Sequence, residues 1–454
     1  MANPNRRTSS NKLLTFVKLT GIPGPRGLSY WRWVRFFQQN ILGAFTKVHQ
    51  EYGAIASFPW PMNSIIIYSP EMIRKVLVEE QRSYIKGEQI EELKAVVGDG
   101  LATNNDQESW LWHRSILGRE FNSKAIARFM MKFHQVTDQQ LNKISTDQKI
   151  DICEEFKLLT FAMAAETFLG ANLSEIEARK ISQAVDYTAE VTYKRIFQFF
   201  PLPYWAPTPT YLKFNQHYKV LNETVQKLIQ AEKSREQTNE AQSVLARLVH
   251  AMDPDTGKRM SDGEIRDEVL TLMLAGHETT AHTLTWIVGL LARYPEYQEK
   301  LREEIETSTE ADYLKRPWLM SIIREAMRLY PAFPVLSRKA RVTTELGAYK
   351  IAAHTNVVIP IYVMQRSEAN WPKALEFMPE RFFDDEAEKS YAFLPFSKGP
   401  RRCIGELFAM AEISCVLVQF FKRFEVAPIS ELPQDIAHVS LKPLGGLWIQ
   451  LRER

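Results

Sequence analysis

Two stretches of this chain carry residues whose types and spacing could do chemistry. In the first, PFSKGPRRCIGELFAMAEISCVLVQFF, Cys403 follows Gly399, Pro400 and two arginines and precedes Gly405 and an apolar helical run expected to begin near Ile404. A sulfur at a helix N-terminus meets free backbone amides and partial positive charge, and Arg401 and Arg402 add to both, so a thiolate is expected there. Such a sulfur serves as a nucleophile or as a soft metal ligand, and the glycines let a flat, bulky ligand come close to the backbone. Cys153 and Cys415 sit in apolar helical runs and are expected to be inert core residues.

The second stretch is the centre of residues 262–293, helical by periodicity and about 45–50 Å long at 1.5 Å per residue, enough to cross the molecule. Its middle, LAGHETTAHTLTW, carries Gly276, Thr279, Thr280, Thr283 and Thr285 where Leu or Ala would favour helix. A weak patch in a central helix marks a functional site: an absent side chain at Gly276 admits a ligand, and threonine hydroxyls open the backbone ladder. HETTAH is not a zinc helix motif, because His277 and His282 are five apart, about 140° around the helix, and do not converge on one metal.

The elements that must hold these stretches are mostly helices. Helical periodicity runs through 107–145, 151–169, 174–196, 211–235, 262–293, 295–307 and 318–329. AIASFPWPMNSIIIYS reads as a hairpin followed by a helix from Pro70, and ELGAYKIAA and NVVIPIYVM read as strands after residue 340. The expected class is mainly α with small β-sheets, a single domain over 22–454 after a flexible arm of 1–21. FQFFPLPYWAPTPTYLKF, with Pro201, Pro203, Pro207 and Pro209, reads as an aromatic loop: packed on its own protein, a greasy entrance lid, or a surface for peripheral lipid contact.

Composition narrows the class further. With 45% apolar and 24% charged residues, collagen-like and disordered readings are out, and a net charge of +3 proposes no nucleic-acid partner. Three cysteines in 454 residues fit a reducing, cytoplasmic compartment. No apolar run reaches the roughly 18 residues of a membrane span.

The residues around the cysteine also carry a resemblance. Phe396, Gly399, Arg401, Cys403 and Gly405 match F-x-x-G-x-R-x-C-x-G, the haem-binding signature of the cytochrome P450 superfamily, which this sequence resembles over residues 22–454. Four further motifs follow that family's order: A-G-x-E-T at Ala275, Gly276, Glu278 and Thr279; E-x-x-R at Glu325 and Arg328; P-E-R-F at Pro379 to Phe382; W-x-x-x-R at Trp110 and Arg114. The resemblance implies a prism-like triangular fold with the long helix over haem b, iron protoporphyrin IX. It implies Cys403 as the iron ligand, Phe396 near the sulfur, and Arg401, Arg114, Trp110 and Arg338 as partners of the haem propionates. It puts Gly276, next to Ala275, in an oxygen groove, with Thr279 and Glu278 delivering protons to dioxygen. Glu325, Arg328 and Arg381 are implied to form a buried ion-pair cluster that serves the fold. MQRSEANW departs from the family's H-R-D-P-x-x-W at Gln365, Ser367 and Glu368.

The implied activity is insertion of one atom of dioxygen into a hydrophobic organic substrate, by hydroxylation or epoxidation. GDGLATNNDQESW resembles bacterial long-chain fatty-acid hydroxylases, so a chain-bearing lipid is the first expectation. Those relatives clamp a carboxylate where this sequence has Asn63 and Ile67, and they can carry a bulky aromatic where it has Ala102, next to Leu101; both differences widen the choice to terpenoids and steroids. Electrons are expected from a separate ferredoxin or flavodoxin with its NAD(P)H reductase, steered by Lys398, Arg401 and Arg402. The protein is expected to be a monomer. A peroxide-using enzyme and a non-oxygenating haem-binding protein are the alternatives.

Overall fold

The computed structural model describes residues 19 and 21–454, apart from 60–61, 172–173, 197, 199–200, 236–242, 254–255 and 385. Most of the expected arm lies outside the described residues, while Leu19 already packs with Ile22 in an apolar cluster.

The 262–293 periodicity forms one helix, Asp262–Arg293. Ser261 starts it: its hydroxyl accepts from the Glu264 amide at 3.2 Å while its own amide donates to Glu264 Oε2 at 2.8 Å, so two end amides are satisfied at once. Apolar residues occur on every side of this helix, and it is accordingly buried along most of its length, surrounded by other helices. Ile152–Ala164 runs against it, and Ser123–Leu141 and Glu406–Arg423 pack together in the same core.

Three expectations need correction. The 107–145 periodicity divides into Gln107–Leu117 and Ser123–Leu141, because Asp106 and Asn122 each cap a new start, accepting from the Ser109 and Ala125 amides at 2.8 and 3.0 Å. In NVVIPIYVM only Asn356–Ile359 is a strand; Pro360 has no amide to give the ladder, and Ile361–Met364 coils into a helical turn. The aromatic segment becomes helix at Pro209, with Thr208 capping the Tyr211 amide at 3.2 Å. Ahead of it Tyr204 stacks on Phe214 under the Arg195 guanidinium, whereas Leu202 and Trp205 stay exposed. Phe197, Phe199 and Phe200 lie outside the described residues.

The hairpin forms as read, Ile55–Phe58 against Ser64–Ile67, and opens a five-stranded sheet that continues through Asn356–Ile359, Leu336–Ala340 and Tyr84–Lys86. Ile67 is wholly inside the apolar cluster of this sheet. The last pairing sets Lys86 opposite Arg338. Like charges so placed destabilise a sheet unless an anion lies between them.

The Pro317–Leu329 helix carries the E-x-x-R pair. Arg328 donates to both oxygens of Glu325 at 2.7 and 2.8 Å, and Arg381 Nε to Glu325 Oε1 at 3.3 Å, which is the expected cluster. Other guanidinium hydrogens go to the Gln365 and Ala374 carbonyls at 2.7 and 2.8 Å. Gln365, from the stretch that departs from the family pattern, is buried and tied to the Met327 and Arg328 carbonyls and the Leu394 amide. Replacing one partner of a buried pair strands the other charge, so Arg328→Ala is expected to lower the unfolding free energy by about 3–5 kcal/mol in a denaturant titration.

Candidate active site

The Cys403 loop is shaped by backbone in the left-handed region at Ser397, φ 60°, and Gly399, φ 80°. A side chain at Gly399 would collide with the Leu77 carbonyl, so glycine lets the loop rest directly on that backbone. The Arg402 and Cys403 amides close the loop by donating to the Gly399 and Phe396 carbonyls at 3.0 and 2.9 Å. The following helix starts at Glu406, two residues later than the sequence suggests, so Cys403 stands outside its first turn, where the helix charge has faded. Burial pushes the Cys403 thiol up, outweighing the Gly405 amide and the charges of Arg114 and Arg402. A coordinating metal deprotonates such a thiol outright, which keeps the sulfur available as the expected thiolate ligand. The sulfur still offers accessible surface, unlike Cys153 and Cys415, which are buried and pushed up to about 12.

Four cations converge beside it. Trp110, buried on Gln107–Leu117, has the Arg401 guanidinium over its ring at 4.6 Å and that of Arg114 at 5.3 Å. Arg401 also donates to the Asn104 carbonyl at 3.2 Å and to Gln107 Oε1 at 3.1 Å. Burial, followed by the charge of Arg401, lowers Arg338 to about 10. Lys86 donates to the Leu101 carbonyl and is pushed well below the usual lysine range by burial, then by Arg401 and Arg338. Among the described residues, Lys86, Arg114, Arg338 and Arg401 form no ion pair with a carboxylate. Lys86 escaped the sequence reading because nothing local in YIKGE shows that strand pairing will bring it to Arg338.

The middle of the central helix carries a short accessible stretch: Ala275 is exposed and Gly276 and Thr279 half-buried, between turns that are mostly buried. The threonines bond back along the helix, Thr279 to the Ala275 carbonyl at 2.6 Å, Thr283 to that of Thr279 at 2.8 Å and Thr285 to that of Ala281 at 2.7 Å. Gly276 lies against an aromatic ring. A Cβ there would meet the Phe168 ring at 2.8 Å, so the missing side chain makes room for that ring.

Glu278 is buried with its Oε1 3.9 Å from His282 Nδ1; burial, and then the charge of Asp186, raise its carboxyl to about 7. His282 Nδ1 meets Ser440 Oγ at 2.7 Å, while His277 Nε2 meets Ser182 Oγ at 3.2 Å, so the two histidines diverge as their spacing requires. Leu101 and Ala102 flank the same helix: the Leu101 amide donates to Glu268 Oε2 at 3.0 Å and Ala102 is exposed. Lys398 is tied to the Glu388 carbonyl at 2.8 Å, whereas Arg402 is exposed and pairs with Glu406 at 3.2 Å.

The family model for cytochrome P450 matches residues 23–448. The chain belongs to the cytochrome P450 family. It is 28% identical to cyclooctatin synthase of Streptomyces melanosporofaciens over 79% of this chain and 80% of that one. It is 28% identical to human cytochrome P450 4V2, covering 92% and 85%, and 26% identical to cytochrome P450 4d2 of Drosophila melanogaster, covering 95% and 94%. Members of the family bind haem through a cysteine thiolate and are monooxygenases, and so is this P450. Its residues fit that group: one accessible sulfur beside four cations that lack carboxylates is a donor set for a metal whose ligand carries acidic side arms. Among the described residues, no helix of the P450 is long and apolar enough to cross a membrane.

Glu278 gives a sign that can be measured. It keeps its proton up to about pH 7 in the folded P450, against 4.5 for an ordinary carboxyl. The unfolded chain therefore releases that proton first, and stability is lost as pH rises through this window. Glu278→Gln is expected to remove a loss of about 3 kcal/mol between about pH 4.5 and 8, read by denaturant titration. Parallel pH profiles for parent and variant would contradict this.

Proposed function

We propose that Cys403 would bind the iron of haem b, that Lys86, Arg114, Arg338 and Arg401 would hold its propionates with Trp110, and that a hydrophobic substrate is oxygenated between Leu101–Ala102 and the Ala275–Thr279 stretch. The observation that carries this reading is the gathering of four cations without carboxylates next to an accessible sulfur. When bound, thiolate-ligated haem supplies the cleavage of dioxygen. This chain's own residues supply position and protons. The Thr279 hydroxyl, having given its hydrogen to the Ala275 carbonyl, keeps lone pairs for a donor in the accessible stretch. Glu278, balanced near neutrality, gives up and regains a proton at its carboxyl oxygen, which is what two-proton oxygen chemistry asks of a relay. Phe396 holds the Cys403 amide and keeps the loop closed.

The substrate read first is a chain-bearing lipid. A terpenoid or steroid skeleton is the second reading, favoured by the small Ala102 and by Ile67, which lies in a core and offers no carboxylate clamp. Electrons come from a separate acidic ferredoxin or flavodoxin meeting the exposed Arg402, with the P450 acting as a cytoplasmic monomer.

The reduced protein under carbon monoxide should show a thiolate-type spectrum that Cys403→His abolishes; a histidine-type spectrum in the parent overturns the assignment. A charged hydrogen bond is worth about 1.5–3 kcal/mol, so Lys86→Met or Arg338→Leu should speed haem transfer to an apo-globin acceptor by at least about tenfold. With a substrate found by spin-state screening of fatty acids, terpenoids and steroids, Thr279→Ala and Glu278→Gln should each lower product formed per NAD(P)H by about tenfold or more and raise peroxide release.

A further inference from the structure

Glu268 is a buried carboxylate of the central helix that the proposed oxygenation leaves without a task. Its Oε1 lies 2.7 Å from His113 Nδ1, and its Oε2 accepts the Leu101 amide at 3.0 Å. Both side chains are shut off from solvent, Glu268 at 0% and His113 at 2% exposure. The Leu101 peptide is held at its other end as well, because its carbonyl accepts from Lys86. Two glycines press the same segment onto the helix: a Cβ at Gly98 would strike the Asp267 carboxylate, and one at Gly100 the Thr271 hydroxyl and the Asp267 carbonyl. The Asp99 amide adds a bond to Asp267 Oδ2 at 2.8 Å.

Helix geometry shows where this anchoring matters. Ala275 and Thr279 follow Glu268 by seven and eleven residues, about 20° to either side of it around the helix and about 10–17 Å further along. The anchored loop therefore lies on the stripe that carries the accessible stretch, and Ala102, the next residue after the anchor, is exposed.

We propose that Glu268, with His113 as its cation, is a positioning pair that sets the Leu101–Ala102 wall against the substrate cavity and so decides how bulky a ligand the cavity takes. This rests on reading the accessible stretch as the ligand cavity. Burial alone would lower His113, but the hydrogen bond and charge of Glu268, with Glu264 3.6 Å from Nε2, outweigh it and raise the imidazole. The other charged groups facing the pair are Lys258, stacked on Trp112, and Lys86 on the sheet; Arg247, on the neighbouring Val244–His250 helix, is engaged with Glu120. A histidine raised in this way keeps its proton through its ordinary range and loses it on the alkaline side, where the hold on Glu268 weakens.

The test uses the haem-loaded protein titrated with imidazole and with 4-phenylimidazole, both read by the Soret shift, and compares the ratio of the two affinities. Glu268→Ala should move the ratio toward the bulkier ligand by about tenfold, the scale on which apolar pockets discriminate by size. Glu268→Gln, which keeps an acceptor for the Leu101 amide but gives up the charge paired with His113, should move the ratio the same way by less, about threefold. Gly100→Ala, which lifts the same wall without touching the pair, should move the ratio in the direction of Glu268→Ala, and the parent's own ratio should drift that way as pH rises above the ordinary histidine range. An unchanged ratio in Glu268→Ala, or a flat parent profile, overturns the proposal. Should Glu268→Ala fail to load haem, the Gly100→Ala ratio and the parent profile decide it. A parent without the thiolate-type spectrum would strike the haem assignment instead, so the two failures are distinguishable.

Discussion

Positive charge held out of water is the constraint on which the rest of this molecule depends. Lys86 and Arg338 face each other across a strand pair, Arg401 lowers both, and Arg401 and Arg114 share one indole. Lys86 and Arg338 are buried and Arg114 and Arg401 half-buried, and among the described residues none of the four forms an ion pair with a carboxylate, Glu268 reaching only Lys86 by its charge, so an anion meeting them offsets the cost of their burial. The need for an acidic ligand is therefore built into sheet register and into the Trp110 platform. The sulfur follows the same logic, since burial disfavours a bare thiolate at Cys403 and a coordinating metal removes that cost.

The central helix solves a different problem with the same material. It has to fill a core and also carry polar groups within it, so apolar residues surround nearly its whole length while threonine hydroxyls bond back to carbonyls four residues earlier. Glu278 is the exposed cost of this compromise: burial brings it close to neutrality, which suits a proton relay and subtracts from stability above acid pH. Local disagreement with helix propensity and chemical competence thus fall on the same turn. Ten residues earlier, and about 80° away around the helix, Glu268 is fully paired, with His113 and with the Leu101 amide.

Sequence alone determined a large part of this. The spacing around Cys403 and the four accompanying motifs identify the family, the 262–293 periodicity gives the central helix residue for residue, and Glu325, Arg328 and Arg381 meet as their motifs imply. These features are local, set by neighbours within a few turns or by motifs that travel whole. Tertiary structure decided what depends on distant partners. Lys86 joins Arg338 only through strand pairing, His113 reaches Glu268 across 155 residues of sequence, and Ser440 comes to His282 from a bend near the C-terminus. It also set the surroundings of two residues that local sequence leaves open: the Phe168 ring lies beside Gly276, and the helix after Cys403 starts only at Glu406. A residue's type and near neighbours fix what it can form locally, but its solvent and its charged company are set by whichever segments pack against it, and those come from elsewhere in the chain.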